Sequence, residues 1–205
     1  MISNIIFDLD GVLFDGCDFH AETFITALQM VRPDIEISRE YHDIHLNALP
    51  TRNKLKVLGL DADISEKVYT LKQDLTTKNI GEYIKPDIKV QNICAELKSR
   101  NYRLFCVSNS IRQTIETCLQ GMGVIDYFEG IISNQDTIEP KPSAEPYLTL
   151  YRKFNLNPKD CLILEDSPHG IESAMKSGAN VLPVKNCNDV TLDLIIDTIN
   201  ICLYK

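Results

Sequence analysis

Two acidic residues near the start of the chain, Asp8 and Asp10, follow directly on an apolar run in the stretch IIFDLDGVLFDG. Burying a carboxylate is costly unless it is paired, hydrogen-bonded or bound to a metal ion. Gly11 comes next, and a glycine lets the chain turn freely. The stretch therefore predicts a cation, and a chemical role, at the end of a buried strand.

Three further groups of polar residues follow or connect apolar runs. Ser108 and Asn109 come after RLFCV, Lys141 lies in the loop EPKPSAEP, and Glu165 and Asp166 come after CLIL. In an open parallel sheet, ligands bind beyond the carboxyl ends of the strands. We therefore expect these groups to share one cleft with the first acidic pair.

The residue types in this predicted cleft suit phosphoryl transfer. The carboxylates of Asp8, Asp10 and Asp166 are the hard oxygen ligands that Mg²⁺ prefers. Asp8 could also act as a nucleophile, and Asp10 could protonate a leaving oxygen and then activate water. Ser108 could hold phosphate oxygens, while Lys141 could neutralise charge on the transferring group.

The elements that must position these residues are read from apolar periodicity. Short, often β-branched runs bounded by polar residues or glycine are typical of strands buried on both faces. They are NIIF (4–7), RLFCV (103–107), GIIS (130–133), CLIL (161–164) and NVLPV (180–184). Helical spacing separates them, at 90–97, 111–119, 148–154 and 192–203. Strands alternating with helices indicate βαβ units and a parallel sheet.

One interval, residues 16–82, lacks strand-like sequence. Helical stripes run over Phe24–Val31 and Ile64–Leu75, and two shorter helices separated at Pro50 are predicted between them. The predicted fold is α/β, a doubly wound (Rossmann-like) parallel sheet core of residues 1–15 and 83–205. A small all-helical unit, residues 16–82, is inserted after the first strand.

Composition restricts the partners. The 205 residues carry a formal net charge of −8, with no Lys/Arg cluster for nucleic acid or an anionic membrane. Cys106, Cys161 and Cys202 lie among apolar neighbours, so we expect buried, reduced thiols and a cytoplasmic protein. No signal peptide or membrane-spanning run is seen. We expect a monomer or weak homodimer that binds a small phosphorylated metabolite.

Four segments together resemble the haloacid dehalogenase-like superfamily, in its phosphatase and β-phosphoglucomutase-like branch. They occur in the family's order and are FDLDGVLFD (7–15), CVSNS (106–110), KPSAEPYL (141–148) and LEDSPHGIESAMKSGA (164–179). The chain departs from many relatives by having Ala144 and Glu145 where they have Pro and Asp. We expect that change to adjust loop packing and helix capping while leaving Lys141 in place.

The resemblance implies a role for each matching residue. Asp8 would be the nucleophile and a Mg²⁺ ligand, and Asp10 the acid/base, binding metal through its backbone carbonyl. Asp166 would be a metal ligand and Glu165 a further one. Ser108 and Lys141 would hold phosphate. Asn109, beside Ser108, is a further phosphate-binding candidate. The helical insert would be the family's cap, which closes over small substrates.

Each segment also has a plainer structural interpretation. Asp8 and Asp10 could form a strand-end turn, and Ser108 with Asn109 an ordinary helix N-cap. Lys141 could be a solvated lysine. Glu165 and Asp166 could cap the helix that begins near His169.

Other residues have similar alternatives. Asp15 either lies at the cleft rim or, as we favour, caps the first helix of the insert. His20 is a substrate-binding candidate or a packed histidine. Arg52 and Lys54 are candidate contacts for a substrate's charged group, although a solvated helix face is the favoured interpretation of both. We do not assign His169 as a metal ligand, because no Cys/His spacing supports a zinc site.

The leading functional prediction is a Mg²⁺-dependent phosphatase that acts through an aspartyl-phosphate on Asp8, perhaps on a sugar phosphate. A phosphosugar mutase shares the first half-reaction. A haloacid dehalogenase is disfavoured because it needs neither a metal ion nor Asp10. A signalling receiver domain also uses an aspartyl-phosphate, but its aspartate follows the third strand and it has no helical insert.

Overall fold

The computed structural model describes residues 1–47 and 49–203, which form two compact units. The larger unit comprises Met1–Asp15 and Ile84–Lys205, and the smaller comprises Gly16–Tyr83. Tyr204 and Lys205, which the sequence assigns to the core, lie outside the described residues.

The larger unit is built on a five-stranded parallel sheet. The strands are β1 (Asn4–Phe7), β2 (Arg103–Val107), β3 (Phe128–Ile132), β4 (Cys161–Glu165) and β5 (Asn180–Pro183). Their order across the sheet is β3-β2-β1-β4-β5. The order reverses at β1, as in doubly wound folds, so the predicted fold class is confirmed.

Register places the strand ends side by side. Phe7 at the end of β1 pairs with Cys106 of β2 on one side and with Leu164 of β4 on the other. All four residues of β1 are buried, which explains the apolar run Ile5–Phe7 that follows Asn4. The residues that follow β1, β2 and β4 therefore meet at the middle of one sheet edge.

Helices α5 to α9 cover this sheet. They are α5 (Ile88–Ser99), α6 (Arg112–Gly121), α7 (Glu145–Phe154), α8 (Pro168–Lys176) and α9 (Leu192–Cys202). One core cluster joins Ile6 and Ile163 of the strands to Tyr147, Leu150 and Tyr151 of α7. The predicted stripe on α7 was wrong at Leu148, which is 38% exposed, because the buried face is centred on Tyr147, Leu150 and Tyr151.

In the described part of residues 16–83, the smaller unit consists of helices and the loops that connect them. Its helices are α1 (Cys17–Val31), α2 (Arg39–His45), α3 (Thr51–Val57) and α4 (Ala62–Tyr83). Phe24, Leu28, Leu46, Leu55 and Val68 meet in its apolar core. The prediction of an all-helical insert after the first strand is confirmed.

Lys54, expected on a solvated face, is buried in the smaller unit, so that prediction was wrong. Its ammonium nitrogen lies 2.9 Å from Nε2 of the buried His42 and 5.3 Å from the centre of the Phe24 ring. Both polar groups thereby gain partners inside an apolar core, which lowers the cost of burying them.

Two of the three cysteines expected to be buried, Cys106 and Cys161, are buried in the larger unit. The prediction was wrong for Cys202, which is half-exposed because it ends helix α9. Among the described residues, no helix has both the length and the apolar character required to cross a membrane.

Candidate active site

Asp8 leaves strand β1 between the ends of β2 and β4. Its backbone N–H donates to the carbonyl of Leu164 at 3.1 Å, so it continues the pairing of β1 with β4. Ser108 continues β2 in the same way, with its N–H on the carbonyl of Ile132 at 3.0 Å. Asp8 and Ser108 are 8% and 4% exposed. The sheet therefore fixes the backbone of both residues at its carboxyl edge.

The Lys141 side chain extends from its loop to the carboxyl ends of the strands. It is 3% exposed, so the interpretation as a solvated lysine was wrong. Its Nζ donates at 2.7 Å to Oδ1 of Asp8 and at 2.7 Å to the carbonyl of Val107. A third, short hydrogen bond goes to Oε1 of Glu165. An ammonium group has three N–H donors, so these contacts use them all.

The side chain of Asn109 fixes the loop that carries Lys141. Its Oδ1 accepts the Lys141 N–H at 3.1 Å, and its Nδ2 donates to the Lys141 carbonyl at 3.4 Å. Glu145 anchors the other end of that loop, because its carboxylate accepts the N–H groups of Ile138 and Glu139. This geometry agrees with the expected effect of Glu145 on loop packing.

Three carboxylates gather where the strands end. Asp8, Glu165 and Asp166 each place an oxygen within 4.8 Å of the other two. Among the described residues, one ammonium, that of Lys141, contacts Asp8 and Glu165. When all three carboxyl groups are ionised, their charge exceeds that of this ammonium by two, which a divalent cation would balance.

The two carboxylate oxygens of Glu165 differ in their hydrogen bonding. The residue is 0% exposed. Its Oε1 accepts from Lys141, but its Oε2 is buried with no hydrogen-bond partner among the described residues. A buried acceptor without a partner is costly. The carboxylate set and this unused oxygen fit Mg²⁺, which takes oxygen ligands and retained waters.

Two glycines allow the close approach of these carboxylates. Gly11 has φ +80°, and a Cβ there would overlap the Asp166 carboxylate. A Cβ at Gly170 in the first turn of α8 would overlap the Glu165 carboxylate. Both positions exclude larger residues by space, and Gly11 does so by backbone conformation as well.

Asp10 lies near the cluster without being one of its three carboxylates. Its Oδ2 accepts a hydrogen bond from the Ser110 hydroxyl at 3.2 Å. Ser110 in turn is held by its own N–H, which donates to Oγ of Ser108 at 3.1 Å. The segment after β2 therefore orients the second aspartate of the first motif.

Electrostatics of the site follow from burial. Burial raises the pKa of Asp8 well above its usual range, and Lys141 opposes that rise. Burial would lower the pKa of Lys141, but Asp8 and Glu165 outweigh it and hold that pKa above its ordinary value. The pKa of Asp166 is raised to about 6, mainly by burial and to a smaller extent by the charge of Glu165. The raised pKa of Lys141 keeps its ammonium charged, and a cation bound beside Asp8 and Asp166 would favour their ionised forms.

The polar residues that follow β2 and β4 do not cap the next helices, so those capping interpretations were wrong. Helix α6 has Ile111 as its N-cap, with no side-chain cap hydrogen bond, so Ser108 and Asn109 do not cap it. Helix α8 is capped by Ser167, whose hydroxyl accepts from Gly170 N–H. Glu165 and Asp166 are thus free of any capping role at that helix.

Asp15 does not cap the first helix of the smaller unit, so that favoured interpretation was wrong. The N-cap of α1 is Gly16, with no side-chain cap hydrogen bond, and Asp15 is exposed. His20 is half-buried in α1, with its ring centre 5.4 Å from that of Phe19.

Arg52 forms an ion pair on the surface of the smaller unit. Its Nη1 lies 2.7 Å from Oε2 of Glu66, and its guanidinium lies 4.0 Å from the centre of the Tyr69 ring. The Arg52 and Glu66 side chains are 55% and 58% exposed. This is the solvated helix face that the sequence favoured for Arg52.

Tyr147 was missed in the sequence. Its ring is fully buried in α7, and its hydroxyl donates a short hydrogen bond to Oε1 of Glu165. A signal was available, since Tyr147 lies one helical turn before Tyr151, and a buried tyrosine usually finds a hydrogen-bond partner. Ser110 and Gly170 were also missed, although both lie within the quoted motifs.

Comparison with known proteins agrees with these motifs. A sequence profile described as haloacid dehalogenase-like hydrolase matches residues 5–184. The chain is 26% identical over 206 residues to a haloacid dehalogenase-like hydrolase domain-containing protein of Arabidopsis thaliana, covering 85% of this chain and 65% of that protein. It is also 24% identical over 183 residues to the pyrophosphatase PpaX of Bacillus cereus, covering 89% and 83%.

A solved structure shares the fold. β-Phosphoglucomutase from Clostridium difficile superposes with a TM-score of 0.79 and 20% sequence identity, over 100% of both chains. At that identity the likeness concerns the arrangement of strands and helices, and the chemistry must be argued from the side chains.

Proposed function

Because the chain belongs to the haloacid dehalogenase-like hydrolase family, we propose that it is a Mg²⁺-dependent phosphatase of a small phosphorylated metabolite. The observation that supports this most is the sharing of the buried Lys141 ammonium between Asp8 and Glu165. Beside it, the three-carboxylate cluster has the charge and ligand type for a divalent ion. Asp8, Glu165, Asp166 and the backbone carbonyl of Asp10 would hold that ion.

Asp8 is the proposed nucleophile. One of its oxygens accepts a hydrogen bond from Lys141, which leaves its other oxygen for attack on phosphorus. Attack forms the Asp8 oxygen–phosphorus bond and breaks the bond from phosphorus to the leaving oxygen. Mg²⁺ held by Asp8, Glu165, Asp166 and the Asp10 carbonyl would offset the negative charge of the phosphoryl group.

Asp10 is the proposed acid and base. Protonated, it gives its proton to the leaving oxygen as the aspartyl-phosphate forms. As a carboxylate, it then takes a proton from the water that attacks phosphorus, which releases phosphate and restores Asp8. The hydrogen bond from Ser110 orients this carboxylate for both transfers.

Lys141 and the segment after β2 are the proposed phosphate holders. Since three protein acceptors occupy the Lys141 N–H groups, a phosphoryl oxygen must replace one of them. Ser108 would add its hydroxyl, while Asn109 would act mainly by fixing the backbone of Lys141. We propose the helical insert as a cap, with His20 and Arg52 as further substrate contacts.

The substrate class is tested by phosphate release. The purified chain is incubated with pyrophosphate, sugar phosphates, nucleotides and phosphoglycolate, with Mg²⁺ and with EDTA; pyrophosphate is included because a relative is a named pyrophosphatase. We expect Mg²⁺-dependent release from at least one compound, and none from D8N. Release by D8N at the wild-type rate would contradict the nucleophile assignment. An isomerised sugar phosphate would indicate a mutase, and chloride release from a haloacid without Mg²⁺ would indicate a dehalogenase.

A further inference from the structure

We propose that Tyr147 is a positioning residue that orients Glu165 toward the metal ion, an inference that rests on the proposed Mg²⁺ site. Tyr147 lies 18 residues from Glu165 along the chain and on a different element, helix α7. Its ring is fully buried, and its hydroxyl donates to Oε1 of Glu165.

The two oxygens of Glu165 have different environments. Oε1 receives two donors, the Lys141 ammonium and the Tyr147 hydroxyl. Oε2 has no hydrogen-bond partner among the described residues, although it is buried. Two donors on one oxygen fix the rotation of the carboxylate, and Oε2 is left without a protein donor among the described residues.

The Tyr147 ring is itself held rigidly. It lies in the core cluster with Leu150, Tyr151 and Ile163, and its centre is 5.2 Å from the Lys141 nitrogen. A hydroxyl on such a ring cannot follow Glu165 if the carboxylate rotates. The phenol therefore sets a fixed point for Oε1, as outer-shell hydrogen bonds do for carboxylate ligands in metal sites.

Lys141 alone would be a poor support for Glu165. Its ammonium also contacts Asp8 and the Val107 carbonyl, and under the proposed function it must release one acceptor when a phosphoryl oxygen enters. If the released acceptor is Glu165, the Tyr147 hydroxyl keeps Oε1 hydrogen-bonded. Tyr147 thus keeps Glu165 oriented even when Lys141 releases Glu165 to bind phosphate.

The test is Mn²⁺ affinity, with free Mn²⁺ measured by its EPR signal and no phosphate compound present. Y147F keeps the buried ring and removes the hydroxyl. Loss of an outer-shell partner typically weakens metal binding by about 10–100-fold, and we expect Y147F to raise the Kd for Mn²⁺ by about 10-fold.

The chain offers a matched control one helical turn away. Tyr151 is also buried in α7, and its hydroxyl lies 2.8 Å from the Ser177 hydroxyl, so Y151F loses an equivalent hydrogen bond outside the acidic cluster. We expect Y151F and Y147F to lower the thermal unfolding temperature of the metal-free protein alike. Y151F should leave the Kd for Mn²⁺ unchanged.

A double-mutant cycle identifies the route of the effect. E165Q keeps an oxygen that can accept from Tyr147 but removes the carboxylate through which Tyr147 is proposed to act. In the E165Q background, Y147F should therefore leave the Kd for Mn²⁺ unchanged. A Y147F effect of the same size with and without E165Q would overturn the inference, as would equal affinities of Y147F and the wild type. A wild-type chain that binds no Mn²⁺ would overturn the metal requirement of the proposed function as well.

Discussion

The Lys141 ammonium and the Asp8 carboxylate form a buried ion pair at 2.7 Å, although 133 residues separate them along the chain. Their side chains are 4% and 11% exposed. Water therefore screens the pair weakly, and each group depends on the other to offset its lost hydration. This pair connects the strand-end aspartate to the loop after β3, which is the central feature of the candidate active site.

Removing the cation of this pair should destabilise the fold. K141M leaves the carboxylates of Asp8 and Glu165 buried without an ammonium, and breaking a buried pair typically costs about 3–5 kcal/mol. We expect a loss of that size in urea unfolding at pH 7.5 without metal. K176M is the matched control, because Lys176 pairs with Glu172 on the surface and both side chains are about half exposed. Equal stabilities of K141M and K176M would show that the buried pair is not needed.

A methyl group at Gly170 should disturb Glu165. Alanine is the better helix former by roughly 1 kcal/mol, yet its Cβ would overlap the Glu165 carboxylate. Overpacking typically costs about 1–3 kcal/mol, so we expect G170A to be less stable than the wild type in urea unfolding. In an E165A background the overlapped atoms are gone, and the same change should no longer destabilise. A stabilising G170A in the wild-type background would count against this packing.

The smaller unit should lose stability in mild acid because of His42. The pKa of His42 is lowered from 6.5, mainly by burial and next by the nearby Lys54 ammonium. Asp43 has a smaller effect in the opposite direction. Arg39 adds a weaker lowering effect. The unfolded chain therefore binds the His42 proton more readily than the folded one. This contribution to stability is present above about pH 6.5 and is lost as pH falls through the lower, folded-state pKa.

The measurement is the free energy of unfolding in urea between pH 5 and pH 8. H42Q removes the titrating imidazole and should flatten the loss of stability below about pH 6.5. H45Q changes a histidine exposed on the same helix and should keep the wild-type pH profile. A wild-type profile in H42Q would assign the acid sensitivity to another group.

Much of the larger unit could be predicted from short apolar runs. Strands β1, β2, β4 and β5 match the runs NIIF, RLFCV, CLIL and NVLPV to within one residue. They match because the interior residues of β1, β2 and β4 are buried, and a strand buried on both faces favours a continuous apolar run. The run GIIS located β3, which begins two residues earlier, at Phe128.

Side-chain burial was harder to predict, because it depends on contacts between distant parts of the chain. Lys54 has the composition of a surface residue, and its burial depends on His42 and Phe24, which lie on other helices. Tyr147 on α7 donates a hydrogen bond to Glu165 on β4, a contact between two separate elements. Spacing along a helix determines which residues share a face. Which side chains pack against that face is determined by tertiary structure.

The central claim is that Asp8 carries the phosphoryl group during turnover. The most direct measurement is borohydride trapping during hydrolysis of pyrophosphate, or of the phosphoester that the release assay identifies, followed by peptide mass spectrometry. Borohydride reduces an acyl phosphate, so a phosphorylated aspartate is recovered as homoserine. We predict homoserine at position 8 in the wild type with substrate and Mg²⁺, and none without substrate. Phosphate release with position 8 remaining aspartate, or homoserine at another position, would contradict the account.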